Sequence, residues 1–172
     1  GMLYKNGEGV TQDHEKARVY FEKAGNLGHA DAQFYAGVYY DKGVEVERDG
    51  KTAFAWFDKA SQQGHCIAQC ALGTFLYLGR GTARDRKQAA FWFEKAANQG
   101  SDFAQYNLTI FYFHGIEVKK SVPKAYMWAS LAAAQGHETC IQVKAELAEQ
   151  MSPEDIEEAE KLLANWREKY HA

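Results

Sequence analysis

The sequence lacks the features that mark several functional classes. Its 20 Lys and Arg residues against 23 Asp and Glu leave a net charge of −3, which argues against a nucleic-acid-binding module. No apolar run approaches the ~20 residues of a membrane-spanning helix, so we expect no direct membrane insertion. No signal-peptide pattern is visible either. The sequence leaves a cytoplasmic location and a periplasmic or secreted one both open.

Cysteine is also scarce, and its spacing argues against a disulfide framework. The three residues Cys66, Cys70 and Cys140 form no even set. On a helix, Cys66 and Cys70 would be one turn apart, with Cβ atoms about 5–6 Å from each other. A disulfide needs Cβ atoms about 3.5–4.5 Å apart, so we expect this pair to stay reduced.

What the sequence does contain is a repeat of 36 residues, and positions one period apart are called a column below. Two glycine columns are Gly7, Gly43, Gly79, Gly115 and Gly28, Gly64, Gly100, Gly136. Two alanine columns are Ala17, Ala53, Ala89, Ala125 and Ala24, Ala60, Ala96, Ala132. An aromatic column is Tyr20, Trp56, Trp92, Trp128, and we expect its tryptophans to be buried. A fixed period of this length indicates a solenoid, in which each unit buries its apolar face against its neighbours.

Each repeat has the start and stop signals of two helices. A glycine such as Gly43 ends the first helix, and a residue such as Asp49 caps the start of the second. Asp13, Asp85 and Ser121 share the column of Asp49, and a second glycine such as Gly64 ends the second helix. The signals predict helices over 14–27, 30–42, 50–63, 66–78, 86–99, 102–114, 122–135, 138–150 and 153–170.

We therefore predict an all-α fold, a right-handed superhelical solenoid of antiparallel helix pairs with a C-terminal capping helix. Residues 1–172 form one repeat domain, divided into a partial repeat 1–29, repeats 30–65, 66–101 and 102–137, and a cap 138–172. Gly1 falls in the column of Gly37 and Gly73, so the chain opens halfway through a helix. From this we expect an N-terminus that has been truncated or processed.

The pattern resembles the SEL-one-like repeat, a longer-looped relative of the tetratricopeptide repeat. The residues that carry the resemblance are Ala32-Gln33, Ala36-Gly37-x-Tyr39-Tyr40-x-x-Gly43, Asp49, Ala53, Trp56-Phe57-x-x-Ala60 and Gly64-His65. Thr109 departs from it by replacing the helix glycine of the third repeat. Glu45 and Glu117 stand where Gly9 and Gly81 fit the family's Gly-x-Gly-Val loop, and we expect those two loops to turn differently. The resemblance implies a non-enzymatic adaptor or scaffold, often in bacterial envelope, signalling or host-interaction settings.

Candidate cofactor sites are better explained by the repeat. His29, His65 and His137 share one junction column, and zinc needs ligands within about 2.1 Å of one ion, whereas successive units stack ~10 Å apart. The segment Gly79-Arg80-Gly81-Thr82 lacks the ending of a phosphate-binding P-loop and a preceding strand. We expect no metal, nucleotide or organic cofactor.

Catalysis has one weak candidate, Cys70 with His65 or His114 as its base. No Ser/His/Asp or Cys/His arrangement follows from the spacing, and Cys70 shares the column of Phe34 and Tyr106. We therefore interpret Cys70 as a small surface or groove residue, and we expect no catalytic residues.

Partner binding is predicted on the first helices, on the face opposite the alanines. By the resemblance to tetratricopeptide stacks, this face is concave. The predicted binding stripe is Phe34, Val38, Asp41, Lys42, Cys70, Thr74, Tyr77, Leu78, Tyr106, Ile110, Phe113 and His114. Aromatic and apolar side chains on an exposed face are typical of a groove for a protein or peptide. The alternative is that some of them are ordinary core between adjacent first helices.

The predicted function is a non-catalytic adaptor that binds a protein or peptide partner on its concave face. One alternative is a structural module of a longer bacterial envelope or secretion-associated protein. A remote alternative is a β-lactam-binding hydrolase, because some cysteine-rich relatives have been associated with that activity. Those relatives staple each repeat with a cysteine pair, which this sequence lacks. The partner's identity and the oligomeric state cannot be derived from the sequence.

Overall fold

The computed structural model describes residues 1–170, so His171 and Ala172 of the predicted cap lie outside the described part. Within residues 1–170 every regular element is an α-helix, and no β-strand is present. The chain divides into two compact units, Gly1–Asp85 and the residues from Arg86 onward. Each unit is described by itself, and the single repeat domain over 1–172 stays a prediction.

Unit 1 contains α1 (Met2–Asn6), α2 (His14–Asn26), α3 (Ala30–Lys42), α4 (Gly50–Gln62) and α5 (Cys66–Leu78). Unit 2 contains α6 (Arg86–Asn98), α7 (Asp102–His114), α8 (Val122–Ala134), α9 (Glu138–Gln150) and α10 (Pro153–Tyr170). The predicted bounds agree with these to within one residue, and α1 occupies the repeat positions of the second half of α3. Inside each unit successive helices from α1 to α5 and from α6 to α9 pack on each other. The helical fold class is therefore confirmed.

The helix ends form where the predicted signals stand. The Asp13 carboxylate accepts a hydrogen bond from the Lys16 N–H at 2.8 Å, and the Asp49 carboxylate accepts one from the Lys51 N–H at 2.9 Å. Such bonds satisfy backbone donors that have no partner within the helix. At the other end of a first helix, Gly43 takes a φ of 69°, a left-handed conformation that costs glycine little.

The prediction that the loops of Glu45 and Glu117 turn differently is wrong. Glu45 and Glu117 have φ values of 52° and 53°, close to the 72° of Gly9 and the 64° of Gly81, so all four loops take the same turn at this position. The loops are closed by equivalent backbone hydrogen bonds, which explains why they share one turn. The Asp49 N–H donates to the Tyr40 carbonyl at 3.0 Å, and the Asp85 N–H donates likewise to the Leu76 carbonyl at 2.9 Å. Closing the loop forces the left-handed conformation on glutamate at some cost in strain.

The core is built from columns of the repeat. The alanine column Ala17, Ala53, Ala89, Ala125 is completely buried, which lets helix axes approach closely. Phe21, Phe57 and Phe93 of the second helices are buried beside it. A buried glutamine ties each first helix to the preceding second helix, since the side-chain amides of Gln33, Gln69 and Gln105 donate to the carbonyls of Gly25, Ser61 and Ala97 at 2.9, 3.2 and 3.2 Å. These bonds satisfy polar groups that burial would otherwise leave unpaired.

The aromatic column is only partly buried. Trp56 and Trp128 are 9% and 5% exposed, as predicted, whereas Trp92 is half-buried, so that part of the prediction is wrong. Trp128 is covered by Trp166 of α10, whose ring lies 6.2 Å away in an edge-to-face arrangement. The column to which a residue belongs determines the direction in which its side chain points. The side chain is buried only where a neighbouring residue covers it.

The closing helix α10 packs against α8. Its N-terminus is capped, because the Ser152 hydroxyl accepts from the Asp155 N–H at 3.2 Å while the Asp155 carboxylate accepts from the Ser152 N–H at 3.3 Å. The Trp166 indole N–H donates to the Asn98 side chain at 2.8 Å, which anchors the end of α10 inside unit 2.

Candidate functional site

The predicted binding stripe falls partly in each unit. In unit 1, Lys42 of α3 and Leu78 of α5 are exposed. The residues Phe34, Val38, Asp41, Thr74 and Tyr77 are half-buried. Cys70 is only 7% exposed, which corrects its interpretation as a surface or groove residue. Its side chain is too short to reach the surface from a position where the same column elsewhere holds Phe34 and Tyr106.

Asp41 forms ion pairs with two arginines of unit 1. Its carboxylate lies 3.1 Å from the Arg80 guanidinium and 3.6 Å from that of Arg48. The Arg48 Nε–H also donates to the Asp41 carbonyl at 2.8 Å. Half-exposed ion pairs contribute little to stability, so these contacts restrain Asp41 without locking it. A partner that paired with Asp41 would have to compete with both arginines.

In unit 2 the structure brings the predicted residues together in one cleft, called the α7–α9 cleft below. It has a volume of about 200 Å³. All four stripe residues of α7, Tyr106, Ile110, Phe113 and His114, line it. Tyr106, Ile110 and Phe113 are half-buried and His114 is exposed, so their side chains remain accessible. Phe113 packs against the buried cluster that contains Leu147, and all four residues still line the open cleft. That a partner binds there stays a prediction.

The opposite wall of the cleft was missed by the sequence analysis. It consists of Val143, Glu146, Leu147 and Gln150 of α9. The signal was present, because Leu147 belongs to the column of Tyr39, Phe75 and Phe111, all of which are buried. Continuing the repeat columns into the closing segment would have placed this wall.

The size of the α7–α9 cleft limits what it can hold. Pockets for drug-sized molecules and cofactors measure about 300–1,000 Å³. At about 200 Å³ the cleft is smaller than that range. It matches a side chain or two of a peptide better than an organic cofactor.

Two of the three junction histidines, His65 and His137, cap helices and stack on stripe residues. Nδ1 of His65 accepts from the Ala68 N–H at 3.1 Å, and Nδ1 of His137 accepts from the Cys140 N–H at 3.3 Å. The His65 ring stacks on Phe34 with centroids 4.9 Å apart, and the His137 ring stacks on Tyr106 at 5.0 Å. In residues 1–170 no group of three or more His, Cys, Asp or Glu side chains is arranged to hold a metal ion.

The thiols of Cys66 and Cys140 differ in pKa, and we therefore expect them to differ in their rates of alkylation. The pKa of Cys66 is lowered to about 7 because the Cys70 thiol donates a hydrogen bond to its sulfur, and burial raises the pKa of Cys140 to about 11. The thiolate is the reactive form. We expect iodoacetamide to modify Cys66 at a rate that rises with pH through a midpoint near 7, while Cys140 stays unmodified below about pH 9.

Mass spectrometry of peptides from timed alkylation measures both rates. The control is Cys70→Ala, which removes the donor and should move the Cys66 midpoint up toward the ~8.5 of a free thiol. Equal rates for Cys66 and Cys140 in the folded protein would contradict the prediction.

In the described residues 1–170, the helices are all too short or too polar to span a bilayer.

Comparison with known proteins gives consistent results. The family model described as "Sel1 repeat" matches residues 1–29, 30–65, 66–101 and 102–137. No curated protein is significantly similar to the chain.

Among solved structures, one similar chain is c5321, described as a protective antigen present in uropathogenic Escherichia coli strains that displays an SLR fold. It is 31% identical with a TM-score of 0.86, and the match covers 98% of this chain and 36% of that one. A Sel1 repeat protein from Oxalobacter formigenes is 32% identical with a TM-score of 0.80, covering 84% of this chain and 60% of that one. Cysteine-rich protein B of Helicobacter pylori is 31% identical with a TM-score of 0.52, covering 54% and 71%. The chain thus spans less than two thirds of the first two proteins.

Proposed function

The chain belongs to the Sel1 repeat family, and on that basis we propose that it is a non-catalytic adaptor that holds a protein or peptide partner on the first helices of its repeats. Repeats of this family generally serve as protein-interaction scaffolds. The proposal goes further by assigning the contact surface to the stripe of Phe34, Tyr77, Tyr106 and Phe113 and its neighbours.

The observation that carries the proposal is the α7–α9 cleft. Tyr106, Ile110 and Phe113 of one first helix face Val143 and Leu147 of the next across open space. Aromatic side chains in a half-open groove offer large contact area with few rotatable bonds, which is why binding energy concentrates on them. The size of the cleft favours a side chain of a partner over a small molecule.

A catalytic role is not part of the proposal. The described residues that line the cleft include no cysteine, serine or lysine. The thiol with the lowered pKa, Cys66, is not one of the lining residues. A nucleophile in covalent catalysis is activated by an adjacent base. The Thr109 hydroxyl, which also lines the cleft, instead donates to the Gln105 carbonyl at 3.0 Å.

The test compares capture by variants of the protein. Tyr106→Ala and Phe113→Ala should each reduce capture of protein partners from a lysate of the source organism at least tenfold, as expected for an anchor residue. Phe91→Ala is the matched control, because Phe91 is an aromatic residue that is 48% exposed and does not line the cleft. Quantitative mass spectrometry of the captured proteins measures the effect, and circular dichroism checks the fold.

Two results would count against the proposal. If Phe113→Ala captures the same proteins as the unmodified chain, the cleft is not the contact surface. If both cleft variants unfold, the stripe is core, and the binding surface must be sought on the loops 44–48, 80–84 and 116–120.

A structural module of a longer bacterial envelope or secretion-associated protein is the second candidate. The observation that favours it is the greater length of the E. coli and Oxalobacter relatives. Under this alternative, capture would be unaffected by Tyr106→Ala and Phe113→Ala.

A further inference from the structure

We propose that the α7–α9 cleft recognises a short peptide segment in which a bulky apolar residue stands close to a lysine or arginine, and that Glu146 selects the basic residue. The inference rests on the proposed function and adds the chemistry of the partner. It commits to a peptide of this kind and not to a small molecule or a second copy of the chain.

The shape of the cleft sets the length of the segment. Tyr106, Ile110 and Phe113 follow each other at helical spacing along α7, and Val143, Leu147 and Gln150 do so along α9. Residues 106–113 span about 10 Å at 1.5 Å per residue. A cleft of this length accommodates about two turns of a helix or three to four residues of an extended strand. The volume of about 200 Å³ leaves room for one large apolar side chain between α7 and α9.

The charge at the cleft favours a basic residue next to the apolar residue of the bound peptide. Glu146 is exposed, and it is the one acidic residue among the described residues that line the cleft. It lies in the last two turns of α9, where Glu149 adds a second carboxylate and the last turn contains no basic residue. The negative end of the helix dipole adds to this charge. A basic group on the partner would offset this negative charge, since the last turn of α9 contains no basic residue.

The basic groups nearby are turned toward aromatic rings. The Lys144 ammonium, on the same helix as Glu146, lies 5.8 Å from the centre of the Tyr126 ring, and Tyr126 is not a lining residue. The Lys120 ammonium lies 5.6 Å from the centre of the Phe113 ring, on the wall opposite Glu146. His114 is on that wall as well. A peptide with its basic residue beside α9 meets Glu146 and avoids Lys120.

Selection from a library of random heptapeptides displayed on phage tests the inference. The unmodified protein should enrich peptides that contain a Leu, Ile, Met or Phe within two positions of a Lys or Arg. The variant Glu146→Lys should instead enrich Asp or Glu beside the apolar residue. Glu158→Lys makes the same charge change at an exposed site of α10 that does not line the cleft, so it should keep the preference of the unmodified protein.

A labelled copy of the most enriched peptide then gives affinities by fluorescence anisotropy. We expect Glu146→Lys to weaken its binding at least tenfold and Glu158→Lys to change it less than twofold. Replacing the basic residue of the peptide with Glu should reverse the preference between the unmodified protein and Glu146→Lys. Because an exposed ion pair is screened by salt, the discrimination should shrink between 50 and 300 mM NaCl.

Several outcomes would overturn the inference. The first is a selection that enriches no peptide, and the second is a preference that does not follow the charge at position 146. The third is a dimer, detected by light scattering, that dissociates in Phe113→Ala, because a second copy of the chain would then fill the cleft. Phe113→Ala distinguishes failure of this inference from failure of the proposed function. If selected peptides need Phe113 but ignore residue 146, the inference fails and the proposed function stands, whereas peptides that ignore both count against the two together.

Discussion

Replacing Phe93 with alanine is expected to lower the free energy of unfolding by about 3–5 kcal/mol, as truncation of a large core aromatic does. Phe93 is 1% exposed, and the rings of Phe103 and Phe111 meet it edge-on with centroids 6.4 and 5.9 Å away. Removing the ring leaves a cavity that two aromatic neighbours cannot easily close. The edge-to-face contacts are lost as well.

Trp92→Ala is the matched comparison, because it removes a larger side chain from the adjacent position. Trp92 is half-buried, and we expect its loss to cost only about 1–2 kcal/mol. Urea unfolding followed by circular dichroism measures both variants. A greater loss for Trp92→Ala than for Phe93→Ala would show that α6 buries Trp92 more deeply than Phe93, which contradicts the prediction.

Gly81→Ala should destabilise the protein by about 3 kcal/mol or more, through strain and overlap together. Gly81 has a φ of 64°, which alanine tolerates poorly, and a Cβ added there would come within 2.6 Å of the Lys51 nitrogen and still closer to the Gly50 carbonyl oxygen. Both neighbours are backbone atoms at the start of α4, so relief requires α4 or the loop to move. The loop after α5 is thereby fitted to the first turn of α4 within unit 1.

Gly9→Ala separates the two causes. Gly9 shares the column of Gly81 and has a φ of 72°, but a Cβ there would meet nothing within 4 Å. Its replacement should cost about 1 kcal/mol for the left-handed conformation alone. Thermal unfolding of the two variants side by side measures the difference. Equal losses would mean that the close approach to Gly50 contributes nothing to stability.

The candidate site was predictable only in part. The four residues of α7 were identified from the sequence because helical spacing fixes which positions share a face. Cys70 was misplaced, since sharing a face with Phe34 and Tyr106 does not say how far a short side chain reaches. The α9 wall was missed because the predicted stripe ended with the repeat 102–137, although Leu147 still keeps the column of Phe111. Glu146, on which the proposed selectivity depends, stands in the column of Ile110, so the repeat pattern alone would have suggested an apolar residue.

The sequence by itself determined the helices of this protein, because caps, stop glycines and the 36-residue period act through the local backbone. It also determined the buried alanine column Ala17, Ala53, Ala89, Ala125, since every repeat needs a small residue where helices cross. The tertiary structure decided which members of a column are covered. Trp128 is buried because Trp166 of α10 packs on it, and Asp41 is paired because Arg48 and Arg80 reach it. The structure also decided that Glu45 and Glu117 take a glycine-like turn, since the hydrogen bonds that close each loop offset the strain of a side chain there. Burial, pairing and strain depend on neighbours that a column does not specify, and for that reason they could not be derived from the period alone.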